Sequence, residues 1–146
     1  MIIKRNLRVS AEQYYDFLLN HLYKQVKRDI SNTIKKKDLI KGFEIKKTYF
    51  RNAEKVTIEF RVEEMERPLL YKISFKTEKG SQFVLHRIRS IRDNFIEVEY
   101  EENIQTDDLK QKLKALIDEN KTRGNMAKTI SIIENEIRNP RNYVIK

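Results

Sequence analysis

The sequence predicts an α+β fold, a curved antiparallel sheet of about six strands gripping one long C-terminal helix. Three observations predict it. A short period-two run comes first, a stripe of apolar side chains at helical spacing follows, and from about Phe43 to Asn103 the chain alternates in five runs whose gaps are too short for crossover connections. A helical tail closes the order, which reads β-α-(α)-β-β-β-β-β-α.

Each element has a local reason. Ile3, Leu7 and Val9 recur with period two and mark a strand half buried on one face. Ser10 ends it, and with Gln13 three residues on it forms a capping-box pattern in which hydroxyl and amide each satisfy a backbone N–H at a helix start. Tyr14, Phe17, Leu18, His21, Leu22, Gln25 and Val26 then make one stripe of about four turns. Ser31 to Lys41 mixes Ile34, Leu39 and Ile40 with a triple lysine and fits either a short helix or an ordered loop, and Gly42 punctuates it.

The strand runs are Phe43–Phe50, Lys55–Glu63, Leu69–Thr77, Ser81–Ile91 and Phe95–Asn103. Their connections suit hairpins. In the last hairpin, taking Arg92 to Asn94 as loop sets Ile91 against Phe95, Arg89 against Glu97 and Arg87 against Glu99. Two opposite-charge pairs thus fix one register, which sends His86, Ile88, Ile96, Val98 and Tyr100 to the inner face. Thr106, Asp107 and Asp108 suit a helix start before Leu109, Leu113, Leu116 and Ile117. A second stripe, Met126, Ile130, Ile133 and Ile137, is offset from the first, which predicts a kink or break near Arg123–Gly124; Asn139–Pro140 ends the helix.

At 146 residues, with only 3 glycines and 2 prolines and no low-complexity stretch, one domain over residues 1–146 is expected. Zero cysteines exclude disulfides and thiolate chemistry. The opening Met1 to Arg5 puts apolar residues before basic ones, the reverse of a secretory signal, and no apolar run approaches the roughly 20 residues of a membrane span, so a cytoplasmic location is expected. The net charge of +9 divides as +7 over residues 1–50, −1 over 51–104 and +3 over 105–146, and such a bias favours polyanions or simply solubility.

The element order resembles the START-like, or helix-grip, superfamily over nearly the whole chain. MIIKRNLRVSAEQYYDFLLNHL and the following KGFEIKKTYF are similar to a small group of Gram-positive bacterial members that are domains of unknown function. Larger members have seven strands, one more than is counted here. The resemblance implies a curved sheet around the last helix, often with an apolar cavity, in a superfamily that includes lipid carriers, ligand sensors and some cyclases.

No residue cluster names a reaction. Walker, GxGxxG, GxSxG and HExxH patterns are absent, no carboxylate pair is marked as buried, and the two histidines lack acidic neighbours at ligand spacing, so neither an enzyme nor a cofactor or metal is expected. A small apolar or amphipathic ligand held between sheet and last helix is the expected partner, with Ile58, Phe60 and Val98 as apolar wall and Tyr71, His86 and Tyr100 as polar tips. The plainer alternative is that these side chains only pack the core. A second class of partner is nucleic acid, through Lys35, Lys36, Lys37, Lys46 and Lys47 interleaved with Phe43, Tyr49 and Phe50. A homodimer through Met126, Ile130, Ile133 and Ile137 is the third, should that stripe face away from the sheet.

Overall fold

The computed structural model describes residues 1–106 and 119–140, with side chains described through 105 and from 123. Strand β1 (Ile2–Leu7) leads into helix α1 (Ala11–Asp29), a 3-10 turn (Lys36–Asp38), and strands β2 (Glu44–Arg51), β3 (Glu54–Glu66), β4 (Leu70–Thr77), β5 (Gly80–Arg92) and β6 (Phe95–Thr106). Helix α2 (Glu119–Arg138) follows. All six strands form one curved antiparallel sheet in the order β1-β6-β5-β4-β3-β2, so sequential hairpins run from β2 to β6 and β1 closes the far side.

One face of the sheet is buried, as the period-two pattern requires. Phe60, Val62, Tyr71, Ile73, His86, Ile88, Ile96, Val98 and Tyr100 are buried on it, and α1 lies across them with Tyr14, Tyr15, Leu18, Leu22 and Val26. Tyr15 is an inward residue that the simple stripe misses. The Ser10 capping box forms as expected: Gln13 N–H donates to Ser10 Oγ at 3.1 Å and Ser10 N–H to Gln13 Oε1 at 2.9 Å. Ile34 and Leu39, on either side of the 3-10 turn, are buried and cover one end of the core.

Helix α2 packs on β1 and α1. Met126, Ile130 and Ile133 are buried and Ile137 packs against the same core, so the second stripe faces the sheet and is not an exposed dimer surface. The expected break at Arg123–Gly124 does not occur. The helix runs unbroken through both, with Met126, Ile130 and Ile133 buried on the core side. The Glu134 carboxylate accepts the Arg8 backbone N–H at 2.7 Å and ties α2 to the β1–α1 turn. The expectations for Thr106 to Ile117 as a helix start and first stripe lie outside the described residues.

The β5–β6 register pairs Arg89 with Glu97, Arg87 with Glu99 and His86 with Tyr100, as the charges indicate. Ile91 does not face Phe95. Arg92 does, and Ile91 bulges out between Ser90 and Arg92, because a two-residue Asp93–Asn94 turn with Asn94 at φ +55° needs the extra residue to keep the inner face in phase. The β2–β3 connection is likewise shorter than the sequence suggests: Arg51 already pairs with Glu54, leaving Asn52 (φ +52°) and Ala53 (φ +66°) as the whole turn.

Two successive left-handed residues make a turn that favours Asn-Gly, and Ala at the second position carries a Cβ penalty. Ala53→Gly is expected to stabilise the fold by about 0.5 to 1 kcal/mol, the relieved penalty exceeding the added chain entropy of glycine. Urea unfolding of the two proteins checks this; an unchanged or lower midpoint would show that the turn is not held in that conformation.

Candidate ligand cavity

Between α1, α2 and the inner face of β4, β5 and β6 lies a space of about 560 Å³. Its sheet wall comes from alternate residues of three adjacent strands: Tyr71, Ile73 and Phe75 on β4, Gln82, Val84 and His86 on β5, and Tyr100 on β6. Leu18, Phe17, His21 and Gln25 of α1 form one side, and Thr129, Ile132 and Ile133 of α2 the other. The period of two in the strands and of three to four in the helices delivers every one of these positions to the same space.

His86 is the buried polar centre, only 3% exposed. Its Nδ1 lies 2.8 Å from the Tyr14 hydroxyl of α1. Aromatic rings surround it: Tyr100 with centroids 4.6 Å apart, Tyr71 edge-on at 5.4 Å and Tyr14 at 5.7 Å. Burial disfavours the charged imidazolium and pushes the His86 pKa down to about 3. Burial also raises the pKa of Tyr14, Tyr71 and Tyr100, so all three stay protonated. Tyr100 donates to the Glu102 carboxylate two residues along β6.

Of the six residues expected to hold a ligand, the structure brings Tyr71, His86 and Tyr100 together on the cavity wall. Phe60 and Val98 are instead buried in the core, Phe60 between the rings of Phe43 and Phe75, and Ile58 is half-buried farther along β3. Sequence reasoning missed Val84, Phe75 and Gln82 as wall residues, and Thr129 and Ile132 on α2. For the strand residues the signal was present in the alternation that places them in phase with Tyr71 and His86.

Tyr15, next to Tyr14 on α1, has a different surrounding. Its ring sits edge-on to Tyr71 at 6.5 Å, with the Arg67 guanidinium 5.4 Å above it, and Arg67 also holds Glu12 at 2.9 Å and Asp16. Its hydroxyl is buried with no hydrogen-bond partner among the described residues. Burial pushes its pKa up to about 12, against the opposing pull of Arg67.

The basic residues of the nucleic-acid reading are exposed but largely engaged within the fold. Lys46 pairs with Glu59 at 2.9 Å, Lys47 donates to the Asp29 carbonyl at the end of α1 at 2.9 Å, and Lys36 bonds the Asn20 side chain. Lys35 and Lys37 extend from the 3-10 region. Phe43 packs against the core and Tyr49 is half-buried, which leaves Phe50, 75% exposed, as the stacking aromatic of that strand. Among the described residues no group of three or more His, Asp or Glu side chains is placed to hold a metal, and no helix is long and apolar enough to cross a membrane.

Residues 1–121 match the family described as a domain of unknown function, DUF3284. The chain belongs to this family. No curated protein sequence matches it. Among solved structures, this DUF3284 chain is similar to the Aha1 dimer from Colwellia psychrerythraea, at TM-score 0.58 and 10% identity over 97% of this chain and 98% of that one. It is similar to an uncharacterised protein from Rhizobium leguminosarum at TM-score 0.57 and 7% identity, covering 94% and 93% of the two chains. It is also similar to Ara h 8.0201 at TM-score 0.54 and 10% identity, covering 94% and 95%. These likenesses show that the DUF3284 chain has the helix-grip, START-like fold.

Two outcomes follow from the burial pattern. A buried hydroxyl without a partner is a net cost, so Tyr15→Phe is expected to raise stability by about 1 kcal/mol. A drop of that size in urea unfolding would show the hydroxyl to be bonded in solution. For His86, the folded pKa of about 3 lies below the ordinary value of 6.5, so the unfolded chain binds the extra proton first. Stability is therefore complete above pH 6.5 and falls as the pH drops toward 3, by up to about 1.4 kcal/mol per pH unit. Unfolding between pH 7 and pH 5 is expected to show this slope in the natural protein and to lose most of it in His86→Phe; equal slopes in both would mean that the imidazole is not held neutral.

Proposed function

We propose that this domain is a non-enzymatic carrier or sensor of a small apolar or amphipathic molecule, bound between the sheet and the two helices. The observation that carries the reading is the cavity of about 560 Å³, within the usual range of ligand sites and walled mainly by apolar and aromatic side chains with a few convergent polar tips. Affinity would come from apolar burial against Leu18, Ile73, Phe75, Val84 and Ile133, and orientation from Tyr71, His86 and Tyr100. The neutral state of His86 and the tyrosines gives no nucleophile or titrating acid–base pair near neutral pH, which favours binding over catalysis.

Binding of polyanions through Lys35, Lys36 and Lys37 has less support, because the accompanying aromatics mostly face inward.

Diphenylhexatriene, an uncharged hydrocarbon whose fluorescence rises in apolar surroundings, tests the cavity. The natural protein is expected to bind it with micromolar affinity, and Val84→Trp, which fills the space from β5, to lose at least tenfold while retaining its thermal unfolding transition. Absence of binding, or full binding by a folded Val84→Trp protein, would remove the cavity as the functional site.

A further inference from the structure

The hydrogen bonding of the cavity wall defines the polar end of what it holds. Tyr14 Oη is buried and meets His86 Nδ1 at 2.8 Å, its one hydrogen-bond partner among the described residues. Were Nδ1 the protonated nitrogen, the phenol hydrogen of Tyr14 would have no acceptor, and an orphaned buried donor is costly. Tyr14 is therefore the donor and Nδ1 the acceptor, which places the single proton of the neutral ring on Nε2. Nε2–H has no acceptor among the described residues, but its ring lines the cavity, so water or a ligand in that space can accept from it, which no group does for the Tyr14 hydrogen in the other tautomer. The neighbouring Tyr71 hydroxyl, on the same wall and opposite His86 in the β4–β5 register, also has no partner among them.

Besides His86, one further imidazole, that of His21 on α1, lines the space among the described residues. Among the described lining residues there is no Lys, Arg, Asp or Glu. The nearest carboxylate in the sheet pattern is Glu102, which pairs with the wall residue Val84 across β5–β6 and accepts from Tyr100. A ligand carboxylate would meet no lysine or arginine among the described lining residues and would lie on the side of Glu102, and an ammonium would meet an Nε2–H that repels it. Burial keeps the His86 imidazole uncharged across the physiological range.

Resting on the ligand-binding reading above, we propose that the cavity selects an uncharged ligand whose polar end is a carbonyl-type hydrogen-bond acceptor, a ketone, ester or amide, bonded by His86 Nε2–H with the Tyr71 hydroxyl beside it. Specificity is then a difference between affinities: the acceptor satisfies a donor that an alkane leaves empty and a charged group can approach only after costly desolvation.

Competition against bound diphenylhexatriene at pH 7 with 2-decanone, decanoate and decylamine tests this on the full chain. The ketone is expected to displace the dye at a concentration at least tenfold below that of either charged probe. In folded His86→Phe, the ratio of ketone affinity to dye affinity, both measured on that variant, is expected to fall about tenfold from its value in the natural protein. Should that variant fail to fold because Tyr14 loses its acceptor, Tyr14→Phe with His86→Phe leaves no orphaned hydroxyl and carries the same comparison. Decanoate or decylamine competing as well as the ketone, with dye binding intact, overturns the neutral-acceptor assignment and leaves the cavity reading standing. A ketone preference undiminished in the folded variants overturns the role of His86. Failure of the natural protein to bind the dye and all three probes overturns both readings together.

Discussion

The contact between the Tyr14 hydroxyl and His86 Nδ1 is the constraint around which the remaining geometry is arranged. The Nδ1 edge of His86 is closed off between the sheet and α1, and left unbonded it would cost more than an apolar residue in its place. Tyr14 supplies the missing bond from α1, so the helix must lie where its first turns reach β5. Once α1 is set there, Leu18, Leu22 and Val26 fall on the sheet at helical spacing and α2 occupies the ground left beside β1. The Glu134 carboxylate on Arg8 N–H holds that second helix at the same end. A space remains between the two helices and β4, β5 and β6, and its wall is the sheet surface around His86.

The opposite face of the sheet has a separate logic. Lys4, Glu99 and Arg87 stand in line across β1, β6 and β5, and Lys46, Glu59 and Lys76 across β2, β3 and β4. In both rows an acid sits between two bases. Pairs of this kind contribute only about 0.2 to 1 kcal/mol each, but a one-residue slip would set them against apolar neighbours and turn His86 and Tyr100 outward together. The solvent face thereby fixes the phase in which the inner face is assembled. It also explains part of the positive charge without a polyanion, since Lys46 has its partner in Glu59.

Much of this was legible in the sequence, for physical reasons that differ from place to place. The capping box at Ser10 and Gln13 is a local chemistry of two side chains and two backbone groups, and it forms as read. The Arg89–Glu97 and Arg87–Glu99 register needed only charge matching across one hairpin. The turn was less accessible: whether Ile91 pairs or bulges depends on Asn94 adopting φ +55°, a choice among conformations of nearly equal local energy. In α2 the offset of the stripe suggested a break at Gly124, yet burial of Met126, Ile130 and Ile133 keeps the helix continuous. The site divided in the same way. Tyr71, His86 and Tyr100 follow from strand phase, whereas Phe60 and Val98 share that phase and are buried elsewhere. Periodicity gives the face of a residue but not its position under a helix, which depends on where α1 and α2 come to rest.

That distinction also governs what the cavity does chemically. An apolar face alone would accept any hydrocarbon, and a fold shared at about one residue in ten with Aha1 and Ara h 8.0201 fixes only that such a face exists. Selectivity has to come from the polar tips. Around the buried imidazole, Tyr100 donates to Glu102 and His86 Nδ1 accepts from Tyr14, while His86 Nε2–H and the Tyr71 hydroxyl have no partner among the described residues. Spending Tyr100 on Glu102 has a second effect: the Tyr100 hydrogen is not available to a ligand. The donor that remains, beside an unpaired Tyr71 hydroxyl, sits in surroundings where a hydrogen bond is stronger than in water and a net charge is far more costly. Discrimination by such a wall follows from the same burial that fixes α1 over β5, so the bond that positions the helix also sets which nitrogen is presented to the ligand.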